Sequence, residues 1–166
     1  MKLWESFKET AILSGAIFMV LTAAACAGWI ASLEQIPQGV ANLVNQLGLS
    51  GVSYLILVNL IFLAAGMIMD VPMALALLVP IFGPTALAQG IDPIHLGVIL
   101  CLNLTVGLVT PPIGACLMVI STIAQENYWS LARETLPFVL IEMVVLAIIT
   151  FIPETVLFLP RLMGLC

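Results

Sequence analysis

Residues 103–114 read NLTVGLVTPPIG, a run of threonines, glycines and a proline pair inside a mostly apolar chain. Proline has no N–H, so Pro111 cannot bond the carbonyl of Gly107 and Pro112 cannot bond that of Leu108. Two carbonyls are expected to be freed in one place. Gly107 adds backbone freedom there, and Thr110 brings a hydroxyl oxygen. Neutral oxygens gathered at one point can replace the water shell of a small hard cation such as Na⁺. A half-helix expected to begin near Ile113 would aim its positive end at the break and could meet an anionic group there. The plainer alternative is a proline kink that only shapes packing.

A second interruption, GMIMDVP, covers Gly66 to Pro72. Gly66 could expose its carbonyl, and Pro72 leaves that of Ile68 without its usual donor. Asp70 is the sole carboxylate between Glu34 and Asp92. It is expected either to assist a cation or to cap the following helix. Glu142 lies within the last apolar run, and a hydrogen bond to a neighbouring helix or subunit is its expected role. The one histidine, His95, follows Asp92-Pro93 and reads as a helix-start residue rather than a proton relay. Cys26, Cys101, Cys116 and Cys166 show no metal-ligand spacing and read as small apolar residues of a packed interior. No nucleophile and base stand at a usable spacing, so the pattern points away from an enzyme.

These residues need elements to hold them at depth in a membrane. The chain has 166 residues, 63% hydrophobic and 8% charged, with a mean hydropathy of +1.25. That composition is an integral membrane protein's. A net charge of −5 without a basic cluster gives nucleic acid no support as a partner. The predicted fold is an all-α, multi-span bundle with a re-entrant helical hairpin and a discontinuous helix. Residues 1–35 form a first span, with AAACAG allowing close helix approach. Residues 36–50 form an interfacial helix with Val40, Leu43, Val44 and Leu47 at helical spacing. Residues 51–91 form the hairpin, whose connection is too apolar for water and needs cover inside protein. Residues 92–125 form the discontinuous helix, and 126–166 the last span with a Pro-broken end. Lys2, Lys8 and Arg133 then share one side, the cytoplasmic one, with Arg161 opposed. No cleaved signal peptide is read at the opening MKLWESFKET.

The order EQIPQ, GMIMD, LLVPIFGP, GIDPIHLGVI, NLTVGLVTPPIG and a late IPE and LP resembles the large permease subunit of tripartite ATP-independent periplasmic (TRAP) transporters, the DctM-like subunit. The resemblance covers about Thr10 to Leu162 and matches the second of the family's two inverted repeats. It implies a sodium-coupled, elevator-type secondary transporter in a bacterial or archaeal cytoplasmic membrane. It also implies Na⁺ as coupling ion without another cofactor, a four-span small permease subunit and an extracytoplasmic binding protein that delivers organic acids of the C4-dicarboxylate or sialic-acid class. Carried over by position, Gly66, Gly107 and Thr110 match residues that hold sodium, Ile113 could add its carbonyl, and Asp70 matches an acidic residue after the tip glycine. Thr105, Pro111 and Pro112 are expected along the substrate path. The family's large subunit is more than twice as long, so a missing amino-terminal half is a further expected partner. The competing expectation is a truncated structural subunit that does not transport.

Overall fold

The computed structural model describes residues 2–164, so Cys166 lies outside the described residues. Among the described residues all regular structure is helical: α1 Lys2–Leu33, α2 Ile36–Gln46, α3 Val52–Gly66, α4 Val71–Ala88, α5 Pro93–Leu108, α6 Ala115–Ala124, α7 Tyr128–Phe151 and α8 Glu154–Leu162. The architecture is thus an all-α membrane bundle. Helices α1, α4 and α7 are each long and apolar enough to cross a bilayer.

Two helices outrun their apolar segments. Helix α1 starts at Lys2, ahead of the apolar run from Ala11, and α7 starts at Tyr128, ahead of Leu136. Hydropathy marks only the stretch that lipid demands, whereas helical hydrogen bonding continues into polar residues until a cap stops it. For α7 that cap is Asn127, whose Oδ1 accepts the Trp129 N–H at 2.9 Å.

The small residues of α1 do what their size suggests. Ala24, Gly28 and Ala31 are its buried positions, and α1 packs on α4. A Cβ added at Gly28 would stand 3.1 Å from the Ala76 carbonyl oxygen and 3.4 Å from Pro80 Cγ. Pro80 lacks the N–H that would bond the Ala76 carbonyl, so this freed oxygen meets the backbone of α1 instead. Nearer the start of α1, Ala16, Ile17, Val20 and Leu21 share a cavity of about 230 Å³ with Asp70, Pro72 and Met73. Helices α1 and α4 therefore run parallel, with the first turn of α4 beside the middle of α1.

The core lies between α3, α4 and α5. Tyr54, Phe62, Ile99 and Leu104 are wholly buried, with Val58 at 1% exposure. Phe62 and Phe82 meet edge to face at 6.0 Å, and the Tyr54 hydroxyl donates to the Phe82 carbonyl at 2.6 Å. Two polar links cross this packing. Asn103 Nδ2 donates to Asn59 O at 2.8 Å and to Asn59 Oδ1 at 2.6 Å. Asn59 Nδ2 then donates to Thr150 Oγ1 at 3.1 Å, which extends the thread from α5 through α3 to α7. His95 sits in the first turn of α5 as expected, capped by Asp92, whose Oδ1 accepts from Ile94 N at 2.8 Å. Its buried ring gives the Nε2 hydrogen to the Ile149 carbonyl at 2.8 Å.

The cysteine expectation fails for the three described thiols, since Cys26, Cys101 and Cys116 are exposed. In a membrane the outside of a bundle is as apolar as its inside, so thiol chemistry alone cannot tell one face from the other. Glu142 is also exposed, pointing away from this chain's core rather than into a neighbouring helix of it.

Candidate cation and substrate site

Helices α3 and α5 end against each other. Gly66 closes α3 and Gly107 lies in the last turn of α5, both buried. A Cβ on Gly107 would lie 2.6 Å from Gly66 C and 2.7 Å from Gly66 Cα. One on Gly66 would lie 2.8 Å from the Leu104 carbonyl oxygen and 3.2 Å from Gly107 Cα. These obstacles are backbone, which cannot swing aside as a side chain can. Glycine is the residue that fits at both positions, and the contact joins the two interruptions recognised in the sequence.

Beyond Gly107 the chain tightens before it breaks. The Val109 and Thr110 N–H groups bond the carbonyls of Val106 and Gly107 at 3.2 and 3.0 Å, and the Thr110 hydroxyl donates to Val106 O at 2.7 Å. The Gly107 carbonyl is therefore not freed as expected. Pro111 removes the donor four residues on, but Thr110 supplies one three residues on through a 3₁₀-type turn. The oxygens that gather belong to the next residues. A Cβ on Gly114 would meet Thr110 O at 3.2 Å and Leu108 O at 3.3 Å. Two carbonyls thus face the same glycine, and the Thr110 hydroxyl oxygen keeps its lone pairs for a further partner.

The second half-helix starts at Ala115, two residues past the expected start near Ile113. Gly114 has a φ of 50° and caps α6 in the left-handed region, so the preceding Ile113 stays in the connection. The Pro111–Pro112 peptide bond is cis. Ile113 is 40% exposed, and its carbonyl accepts the Tyr128 hydroxyl at 3.1 Å. The same hydroxyl reaches Pro112 O at 3.0 Å. Thr105 is exposed, its hydroxyl turned back to Cys101 O at 2.7 Å. Pro111 is half-buried and Pro112 exposed.

Asp70 stands at the N-cap of α4, where its Oδ1 accepts the Val71 N–H at 2.9 Å. Caps usually serve the second or third N–H of a helix. Here Pro72, at the second position, has none, and the carboxylate bonds the first N–H instead. The side chain is exposed and borders the cavity against α1. The fold thus brings Gly66 and Gly107 into contact, with Thr110 in the turn that follows. Ile113 lies next to Gly114, its carbonyl held from α7, while Asp70 borders α1. Among the described residues no three His, Cys, Asp or Glu side chains assemble. Backbone and hydroxyl oxygens, the donors a hard monovalent cation prefers, are what the break offers.

Asn103, Asn59 and Tyr128 were not selected from the sequence. Asn59 carried a signal, a lone amide inside the apolar run LILVNLIFL. Asn103 is wholly buried, and its Oδ1 has no hydrogen-bond partner among the described residues. Tyr128 sits in a polar stretch and carried none.

Comparison with known proteins agrees with this architecture. Residues 1–155 match the family model described as the tripartite ATP-independent periplasmic transporter, DctM component. The chain is 38% identical, over 95% of its length, to the C4-dicarboxylate TRAP transporter large permease protein DctM of Pseudomonas aeruginosa. It is 35% identical, again over 95%, to the sialic acid TRAP transporter large permease protein SiaM of Vibrio cholerae. It spans 37% of each of those two relatives. A Paracoccus pantotrophus protein, provisionally named a dicarboxylate transporter subunit, is 39% identical over 96% of this chain, which spans 76% of it. With the paired glycine contact and the broken helix in the order seen above, the chain belongs to the DctM component family of the TRAP transporters.

Proposed function

We propose that this chain is a permease component of a sodium-coupled TRAP-type secondary transporter in a cytoplasmic membrane. It works with the rest of a large permease, a small permease subunit and an extracytoplasmic binding protein, and it carries organic acids rather than transforming them. The substrate class follows the relatives, which are named for C4-dicarboxylates and sialic acid. The observation that carries the reading is the Gly66–Gly107 contact, which seats the end of α3 on the broken helix just before the turn where carbonyls of Leu108 and Thr110 face Gly114. Neutral oxygens there suit Na⁺, and the break meets a carboxylate substrate without a buried basic residue.

The depth of the hairpin supports re-entrance. Asp70 and Pro72 share their cavity with Ala16 to Leu21, which lies within the apolar run starting at Ala11. Helix α3, with 15 residues, extends only about 22 Å at 1.5 Å per residue. Both features support a tip within the hydrocarbon rather than beyond it.

The test is uptake of labelled succinate and of labelled sialic acid into proteoliposomes with and without a sodium gradient, with the binding protein and small subunit present. One arm holds this chain alone and the other adds the remaining large-permease portion. Sodium-dependent uptake in the second arm is expected, and its failure for both acids would sink the reading. The share of the relatives' length that the chain spans favours a second reading, a structural subunit without transport. Sodium-dependent uptake in neither arm, with assembly intact, is its signature.

A further inference from the structure

The carbonyls of Pro112 and Ile113 sit in the non-helical connection ahead of α6, which Gly114 caps in the left-handed region. Among the described residues no backbone N–H bonds either oxygen. Both are instead met by one group from another helix, the Tyr128 hydroxyl, at 3.0 and 3.1 Å. Tyr128 is half-buried at the start of α7. Asn127 caps α7 immediately before it, and the Tyr128 ring packs edge to face on Trp129 at 5.5 Å and 83°.

We propose that Tyr128 is a positioning residue for the cation site, its phenol standing in for the missing backbone donors and fixing the direction of the Pro112 and Ile113 carbonyls. The inference rests on the sodium reading above. A carbonyl oxygen has two acceptor sites. The phenol occupies one on Ile113 and leaves the other for an ion, so the ligand is aimed before the ion arrives. Without the phenol the segment 111–114 is joined to α7 by no hydrogen bond of these carbonyls, and ion binding must order it. The second nearby acceptor adds tolerance, because a small shift of Ile113 toward an ion leaves the phenol bonded to Pro112. Tyr128 touches neither ion nor substrate in this role, and its effect falls on affinity.

The experiment is saturable ²²Na⁺ binding to the complete carrier containing this chain, competed with unlabelled Na⁺ at constant ionic strength in choline, comparing Tyr128→Phe with the unsubstituted protein. Loss of one ordinary hydrogen bond corresponds to a dissociation constant about three- to tenfold higher, with binding capacity and unfolding temperature in choline unchanged. Tyr128→His, whose ring N–H still donates, is expected to bind between the two. An unchanged constant in Tyr128→Phe overturns the proposal, as does a Tyr128→His constant no better than that of Tyr128→Phe. Absence of saturable ²²Na⁺ binding in the unsubstituted carrier would instead overturn the sodium reading on which it rests.

Discussion

A methyl group at position 107 has nowhere to go. In Gly107→Ala it would meet Gly66 C and Cα at 2.6 and 2.7 Å, and relieving that overlap forces the ends of α3 and α5 apart at a cost of about 1–3 kcal/mol. The expected outcome is loss of most sodium-dependent uptake with a lesser loss of protein in the membrane, read by transport and immunoblot on one preparation. Asp70 allows a cleaner split between its two expected roles. Asp70→Asn keeps the cap oxygen for Val71 N–H and removes the charge, whereas Asp70→Ala removes both, at about 1 kcal/mol of helix stability. A cap alone predicts wild-type sodium affinity for Asp70→Asn, and a raised half-saturating concentration would assign the carboxylate to the ion. At this scale the sequence was informative where covalent chemistry dictates the outcome. The glycines, the prolines and Thr110 could be named because a missing Cβ or N–H acts whatever surrounds it. Which carbonyl stays free depends on whether a donor three residues on takes over, and that turned on local turn geometry.

Helices in this chain are joined by two kinds of contact. Asn103, Asn59 and Thr150 link α5, α3 and α7 through hydrogen bonds of 2.6–3.1 Å. Asn59→Ala removes the side-chain acceptor of a fully buried amide and its own bond to Thr150, a loss of about 1–3 kcal/mol. It should appear as a lower unfolding temperature in detergent with little change in sodium affinity. Between α1 and α4 the contact is steric. Gly28→Val places branched carbons where Ala76 O already stands 3.1 Å from a Cβ, and α1 should part from α4 with a drop in membrane-assembled protein, while Ala24→Gly should be nearly silent. The helices themselves were legible from apolar runs and breakers. Their starts were not, because Lys2 and Tyr128 begin helices within polar sequence. Pairing between helices was legible only where small residues marked a seam, as in AAACAG. The amide thread was missed because a lone Asn in an apolar run names no partner.

For the whole chain, the start of α4 borders residues 16–21 of α1, inside the apolar run from Ala11, and that sets an accessibility test for the connection before it. In inside-out vesicles on a background with the native cysteines replaced, Lys8→Cys should react readily with an impermeant maleimide. Ile68→Cys, at the tip, should react at least about tenfold more slowly if the tip lies within the hydrocarbon. Equal rates would mean that α3 and α4 cross the bilayer completely. The positive-inside pattern could not separate these cases, since both paths return Lys2, Lys8 and Arg133 to one side. The family could be read because several interruptions follow one another in a fixed order, a property of the whole chain that no single segment carries. The seam between α1 and α4 has a mechanical meaning as well. Ala24, Gly28 and Pro80 bring no side-chain donors to it, whereas α3, α5 and α7 are pinned in register by amides. Register at that seam is therefore set by shape alone: displacing α1 along α4 would break no hydrogen bond from these side chains, whereas displacing α5 or α7 against α3 would break the amide thread.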